Sequence, residues 1–133
     1  RGIDGVQFLG FQNRKNISKY YATADLVVLP SKRETWGMVV NEALCFRLPV
    51  ITSDQVGSAP DLVRDGENGY VYRTGDVANL TSLIQQIVDL PENERLQFGM
   101  KSQEQIKLWI DRDLSQSIIQ YFDLIYTKRL QRK

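Results

Sequence analysis

The sequence predicts an α/β fold, a Rossmann-like parallel sheet flanked by helices, and three observations carry that prediction. Short apolar runs of strand length occupy residues 6–9, 26–29, 50–52 and 69–72. Helical stretches lie between most of them, and turn formers such as Gly10, Pro30, Asp54 and Gly75 close them off. Strands that alternate with helices pair in parallel, because each crossover helix returns the chain to the end of the sheet it left.

The elements follow in chain order. Ile17, Tyr20, Tyr21 and Ala24 fall at i, i+3, i+4 and i+7, one face of a helix between the first two strands, with Asn16 as its expected cap. Both tyrosines fit this stripe and read as core aromatics rather than base-stacking platforms. The run 26–29 reads as a buried strand stopped by Pro30 and Ser31, residues 30–36 as a loop and 37–45 as a helix. After Tyr72 the strands stop. Leu80, Leu83, Ile84, Ile87 and Val88 form a second helical stripe, and Leu114, Ile118, Tyr121, Phe122 and Ile125 a third. Between them Pro91 opens a helix with Glu92 and Glu94 in its first turn, running toward Trp109. No repeat, low-complexity segment or linker interrupts the chain, so residues 1–133 read as one domain.

Composition removes whole classes of chemistry. With 42% hydrophobic and 25% charged residues the chain has the make-up of a soluble domain with a sizeable core. A net charge of +1 offers no general attraction for nucleic acid, and no run approaches the ~18 apolar residues of a membrane span. The absence of histidine excludes a Ser-His-Asp triad and any histidine-ligated metal site. The single cysteine, Cys45, excludes an intrachain disulfide and reads as a small buried hydrophobe on the helix face packed against the sheet. No signal-like apolar run opens the sequence, and a cytoplasmic location is expected. Lys128, Arg129, Arg132 and Lys133 crowd the C-terminus, where a solvated helix end is favoured over a peripheral contact with the inner face of the cell membrane.

The chemistry concentrates around Glu34 and Glu42. They bracket Thr35, Trp36, Gly37, Met38, Val39, Val40 and Asn41 at a loop-to-helix junction just beyond a strand. Ligands of α/β sheets bind at such strand ends. The first helical amides have no intrahelical acceptor and carry the positive end of the dipole, so a phosphate can sit at Gly37, Met38 and Val39. Gly37 is expected to let it approach closely. Glu42 then lies about one helical turn inward, roughly 5.4 Å along the axis, with Glu34 on the loop side of the same anion. Carboxylates tolerate a neighbouring phosphate when they accept hydrogen bonds from hydroxyls, which a nucleotide sugar supplies on both sides of its diphosphate. The competing reading is structural: Glu34 charges a helix N-terminus and Glu42 is a solvated helix residue.

Pro30-Ser31, Glu34, Trp36-Gly37 and Glu42-Ala43, with seven residues between the acids, resemble the glutamate-x7-glutamate signature of family-four glycosyltransferases, retaining enzymes of the GT-B fold. The resemblance runs upstream through Val6-Gln7-Phe8-Leu9-Gly10 and Tyr20-Tyr21-Ala22-Thr23-Ala24-Asp25. Downstream it includes Leu48-Pro49-Val50-Ile51-Thr52-Ser53-Asp54, Val56-Gly57-Ser58-Ala59-Pro60-Asp61 and Asp65-Gly66-Glu67-Asn68-Gly69-Tyr70-Val71. It implies that Glu34 is the catalytic position and touches the transferred sugar. Trp36 and Gly37 would count among the donor-binding positions; the amides after this pair, through Met38 and Val39, would bind the diphosphate, and Glu42 the ribose hydroxyls. The sequence departs from the family pattern at Phe46-Arg47, where a small residue and glycine are usual. It departs again at Ser58, in place of a second glycine, and at Asp61, in place of glutamate. Arg47 reads as a solvated loop residue, with an acceptor or membrane phosphate as the alternative partner.

By the same resemblance the chain is the C-terminal, donor-binding domain of a GT-B enzyme, without its leading part, its basic phosphate clamp or the N-terminal acceptor domain. The implied reaction moves a hexosyl group, with retention, from a nucleotide diphosphate sugar to a hydroxyl acceptor in glycan, lipopolysaccharide or capsule assembly. The sugar nucleotide is a substrate, and no cofactor or metal is expected. The implied partners are the nucleotide sugar and a glycan, lipid-linked or other hydroxyl acceptor met through the absent domain. An uncovered sheet edge invites self-association. Weak donor binding and no turnover are expected of the isolated chain. A noncatalytic sugar-nucleotide-binding module and an epimerase on a related scaffold are the rival readings.

Overall fold

The computed structural model describes residues 3–111, apart from the side chains of Arg14 and Lys15. In chain order these residues form α1 (Arg14–Thr23), β1 (Val27–Leu29), α2 (Met38–Cys45), β2 (Val50–Ser53), α3 (Ala59–Leu62), β3 (Gly69–Tyr72), α4 (Val77–Val88) and α5 (Glu92–Ile110). The strands pair in parallel in the order β1-β2-β3, with Val28 opposite Ile51 and Thr52 opposite Val71. The third apolar stripe and the basic C-terminal cluster lie outside the described residues.

Period-two alternation divides the sheet between two apolar layers. Val27, Leu29, Val50 and Val71 face a cluster built with Tyr21 of α1, Val40, Ala43 and Leu44 of α2, Leu62 of α3 and Ile106 of α5. Val28, Ile51, Tyr70 and Tyr72 face Leu80, Leu83, Ile84 and Ile87 of α4 and Phe98 of α5. The sheet is therefore covered on both faces, as a parallel sheet requires. At its β3 edge the backbone N–H of Val71 donates to Asp65 Oδ1 at 2.8 Å, which blunts that edge.

Four expectations need correction. The run 6–9 forms no strand; it is exposed between Gly5 and Gly10, both at positive φ, and Phe8 is 82% accessible. An apolar run becomes a strand only where a neighbour completes its hydrogen bonds, and no described segment pairs with it. The cap of α1 is Asn13 rather than Asn16, its side chain accepting from the Asn16 amide at 3.0 Å. Tyr21 is buried but Tyr20 is exposed, since the two are rotated by about 100° and only Tyr21 shares the face of Ile17 and Ala24. Cys45 is exposed, because Val40, Ala43 and Leu44 take the inner face of α2. The four-residue α3 is too short to leave a periodic signal.

The departure at Phe46-Arg47 falls on the C-terminus of α2. Arg47 has φ +59°, its N–H donates to the Leu44 carbonyl, and the Leu48 N–H reaches back to the Ala43 carbonyl, both at 3.1 Å. This pair of bonds is the Schellman closure, whose left-handed position favours glycine. A side chain there costs about 1–2 kcal/mol, partly offset by the freedom glycine gains in the unfolded chain. Arg47→Gly is therefore expected to stabilise the protein by about 0.5–1 kcal/mol, read as a higher urea midpoint at unchanged slope. Gly99 explains why α5 packs so near: a Cβ there would meet the Arg47 carbonyl oxygen at 2.3 Å.

Candidate functional site

The loops that follow β1 and β2 are stitched together at the carboxyl end of the sheet. Ser53 Oγ donates to the Ser31 carbonyl at 2.5 Å, and the Glu34 N–H donates to the Gln55 carbonyl at 3.0 Å. In return the Gly57 N–H donates to the Glu34 carbonyl at 3.0 Å and the Ser58 N–H to the Trp36 carbonyl at 2.9 Å. Glu34 thus sits on a loop fixed by backbone bonds rather than free at the surface. Asp54 anchors a further connection: its Oδ1 accepts from the Thr74 hydroxyl and amide, and these bonds hold its carboxyl below the ordinary carboxylate range.

Gly37 caps α2 at φ +88° with no side-chain cap. A Cβ at Gly37 would meet Val56 at 2.8 Å, Leu29 at 3.2 Å and the Glu34 side chain at 3.3 Å. The glycine is therefore required by its left-handed backbone and by packing on the sheet side, a different reason from the ligand approach expected of it. Met38 is exposed and Val39 half-buried, and among the described residues no side chain caps the first amides of the helix. The anion-attracting end of α2 is open in the sense that no described side chain caps its first amides.

Both acids are half-buried beside that end. Glu34 Oε1 accepts from the Trp36 N–H at 3.3 Å, and its side-chain stem lies against Gly37. Glu42 lies four residues past Met38, and its Oε2 accepts from the Tyr21 hydroxyl at 2.8 Å. Each carboxylate keeps lone pairs free for hydroxyl donors. Burial holds the Tyr21 phenol above its ordinary pKa, and the Glu42 hydrogen bond and charge add to that effect. Trp36 turns its side chain inward: Nε1 donates to Asn41 Oδ1 at 2.9 Å and the ring packs on Trp109 with centroids 5.3 Å apart. Its side chain supports the helix entrance, and only its backbone lines the loop.

The structure therefore gathers Glu34, Gly37, Met38, Val39 and Glu42 around one helix end. Three contributors carried no signal in the sequence for this site. Tyr21 lies 21 residues from Glu42, Gln55 acts through its backbone, and Trp109 arrives from the far end of α5. Among the described residues no three Asp, Glu or Cys side chains converge as metal ligands would. A cleft of about 670 Å³ lies elsewhere, between residues 66–67 and α5, lined by Glu67, Glu94, Phe98 and Lys101. It shares no residue with this site, and three acids, Glu67, Glu94 and Glu104, line it.

The chain is similar in sequence and fold to known proteins. The family model described as "Glycosyl transferases group 1" matches residues 1–105. N-acetyl-alpha-D-glucosaminyl L-malate synthase of Bacillus anthracis is 30% identical over 123 residues, 92% of this chain and 30% of that protein. Sucrose-phosphate synthase of Thermosynechococcus elongatus superposes with a TM-score of 0.72 at 25% identity, covering 96% of this chain and 31% of that one. WaaG, a glycosyltransferase involved in lipopolysaccharide biosynthesis, superposes with a TM-score of 0.65 at 25% identity over 78% of this chain and 27% of its own. The chain thus spans under a third of the length of these relatives. A parallel sheet covered on both faces, an open helix end flanked by two acids, and a family match over most of the sequence lead to one assignment: the chain belongs to the group 1 glycosyl transferases and has the α/β architecture of the GT-B fold.

Proposed function

We propose that this chain is the donor-binding domain of a retaining glycosyltransferase that takes a hexosyl group from a nucleotide diphosphate sugar and passes it to a hydroxyl acceptor. The observation that carries the reading is the open N-terminus of α2, set between Glu34 and Glu42 on loops locked to each other by backbone hydrogen bonds. The diphosphate lies at the amides of Met38 and Val39, where the helix dipole offsets the charge that grows on the leaving group. Glu34, on the loop side, accepts from sugar hydroxyls and supports positive charge developing at the anomeric carbon. Glu42 accepts from the ribose. Hydrolysis by a pair of carboxylic acids fits poorly, because one of the two is committed to the nucleoside.

Transfer is assigned to a whole polypeptide of the length the relatives have, with the acceptor bound by residues beyond this segment. Assembly of a glycan or lipopolysaccharide in the cytoplasm is the setting this reading favours. The chain alone binds donor weakly and does not turn it over. Adding UDP, GDP or ADP, and then the corresponding glucose conjugates, to isotope-labelled chain at millimolar concentration is expected to shift the amide resonances of Gly37, Met38 and Val39 first. Shifts confined to the Glu67 and Glu94 cleft, or none with any nucleotide, would refute the reading.

A further inference from the structure

Tyr21 is almost fully buried, yet its one polar atom is spent on the carboxylate of Glu42, 2.8 Å away and on a different helix. A core tyrosine has many ways to satisfy its hydroxyl; this one reaches a charged side chain at the edge of the open helix end. Behind it stands Phe46, whose ring stacks on that of Tyr21 with centroids 5.4 Å apart and an interplanar angle of 24°. Phe46 is one of the two positions at which the sequence departs from the small-residue-and-glycine pattern, and it caps the C-terminus of α2, four residues beyond Glu42.

We propose that Tyr21, braced by Phe46, is a positioning residue that fixes one oxygen of Glu42 so that the other is presented to a ribose diol, making the site selective for ribonucleotides over deoxyribonucleotides. The inference rests on the reading that Glu42 meets the ribose.

A glutamate side chain has three rotatable bonds, and ordering them on ligand binding costs affinity. The Tyr21 bond removes much of that cost beforehand. It also fixes polarity: a phenol can give only a proton here, so Glu42 is held as an acceptor, and the groups it welcomes are donors. Burial keeps the phenol protonated, which maintains the bond across the neutral range. The stacked Phe46 ring limits rotation of Tyr21 about its side-chain bonds, so the hydroxyl stays aimed.

Tyr21→Phe tests this cleanly because it keeps the ring, the stack and the apolar packing and removes only the hydroxyl. The assay is titration of the chain with whichever of UDP, GDP and ADP binds it best, and with the 2′-deoxy form of that nucleotide. Tyr21→Phe is expected to weaken the ribonucleotide about 3- to 10-fold, the scale of one ordinary net hydrogen bond since Glu42 itself remains, and to leave the deoxynucleotide within about 2-fold. Phe46→Ala is expected to move the ratio the same way by a smaller factor. Equal weakening of both nucleotides would assign Tyr21 a packing role only and overturn the inference, as would no change in either. Glu42→Gln separates the two levels of argument. If it collapses the ribose preference while Tyr21→Phe preserves it, the positioning role alone fails. If Glu42→Gln leaves the preference intact, Glu42 does not meet the ribose and both claims fall.

Discussion

Gly57→Ala is expected to destabilise the protein by about 3 kcal/mol or more and to abolish the nucleotide response at α2. A Cβ on Gly57 would sit 2.0 Å from the Thr35 carbonyl oxygen and 2.8 Å from the Thr35 carbonyl carbon. Both obstacles are backbone, so no rotamer change relieves the contact, and the cost lies at or above the upper end of overpacking penalties. The two loops must separate, which strains the bonds from Gly57 to Glu34, from Ser58 to Trp36 and from Glu34 to Gln55. Those bonds place Glu34 and the start of α2, so stability and ligand binding fall together. Gly66→Ala supplies the contrast. Its φ is +75° but nothing lies within 4 Å of the added Cβ, so only the left-handed strain of about 1–2 kcal/mol remains and the site is untouched. Urea unfolding of the two variants beside their nucleotide titrations checks both halves of the expectation. A Gly57→Ala protein as stable as its parent would show that the loops are not locked.

The same junction shows how far the sequence could be read. Residues 27–29, 50–53 and 69–72 were legible because each is a compact apolar run with a stop signal after it, and burial on both faces rewards every residue of such a run. Residues 6–9 carry an equally good local signal and form no strand, since pairing depends on a neighbour that local pattern does not reveal. Cys45 and Tyr20 were misplaced for a related reason: a helix stripe fixes a face to within about one residue's rotation of 100°, and neighbouring positions differ by that much. The open end of α2 followed from Pro30, Gly37 and the spacing of the two glutamates. What holds those glutamates did not. The Tyr21–Glu42 bond, the Trp36 ring on Trp109 and the stitching of Glu34 to Gln55 join residues 21, 73 and 21 positions apart in the chain, and such contacts are decided by packing. Arg47 is instructive in the opposite sense: a glycine-like left-handed turn survives with an arginine in it, because the two Schellman bonds and the burial of Leu48 outweigh its strain.

Glu42→Gln and Glu34→Gln are expected to fail in different ways, and the difference separates the two ends of the donor. Glutamine keeps the length of the side chain but loses the charge, so each ligand hydroxyl that bonded to the carboxylate loses a charge-assisted hydrogen bond worth about 1.5–3 kcal/mol, or roughly 10- to 100-fold in affinity. At Glu42 the lost partner is the nucleoside, common to the free nucleotide and to its sugar conjugate, so both weaken by the same factor. At Glu34 the lost partner is the sugar. Free nucleoside diphosphate then binds as before, and only the nucleotide sugar weakens. Glu34 also accepts from the Trp36 amide, a bond that the amide oxygen of glutamine can retain, so the loop keeps its shape and the comparison reads charge rather than folding. In an active full-length enzyme the Glu34 variant should lose kcat more than KM, because positive charge at the anomeric carbon is larger in the transition state than in the bound donor. If both variants weaken free nucleotide and nucleotide sugar equally, the two acids do not divide the donor between them, and the assignment of Glu34 to the sugar is wrong.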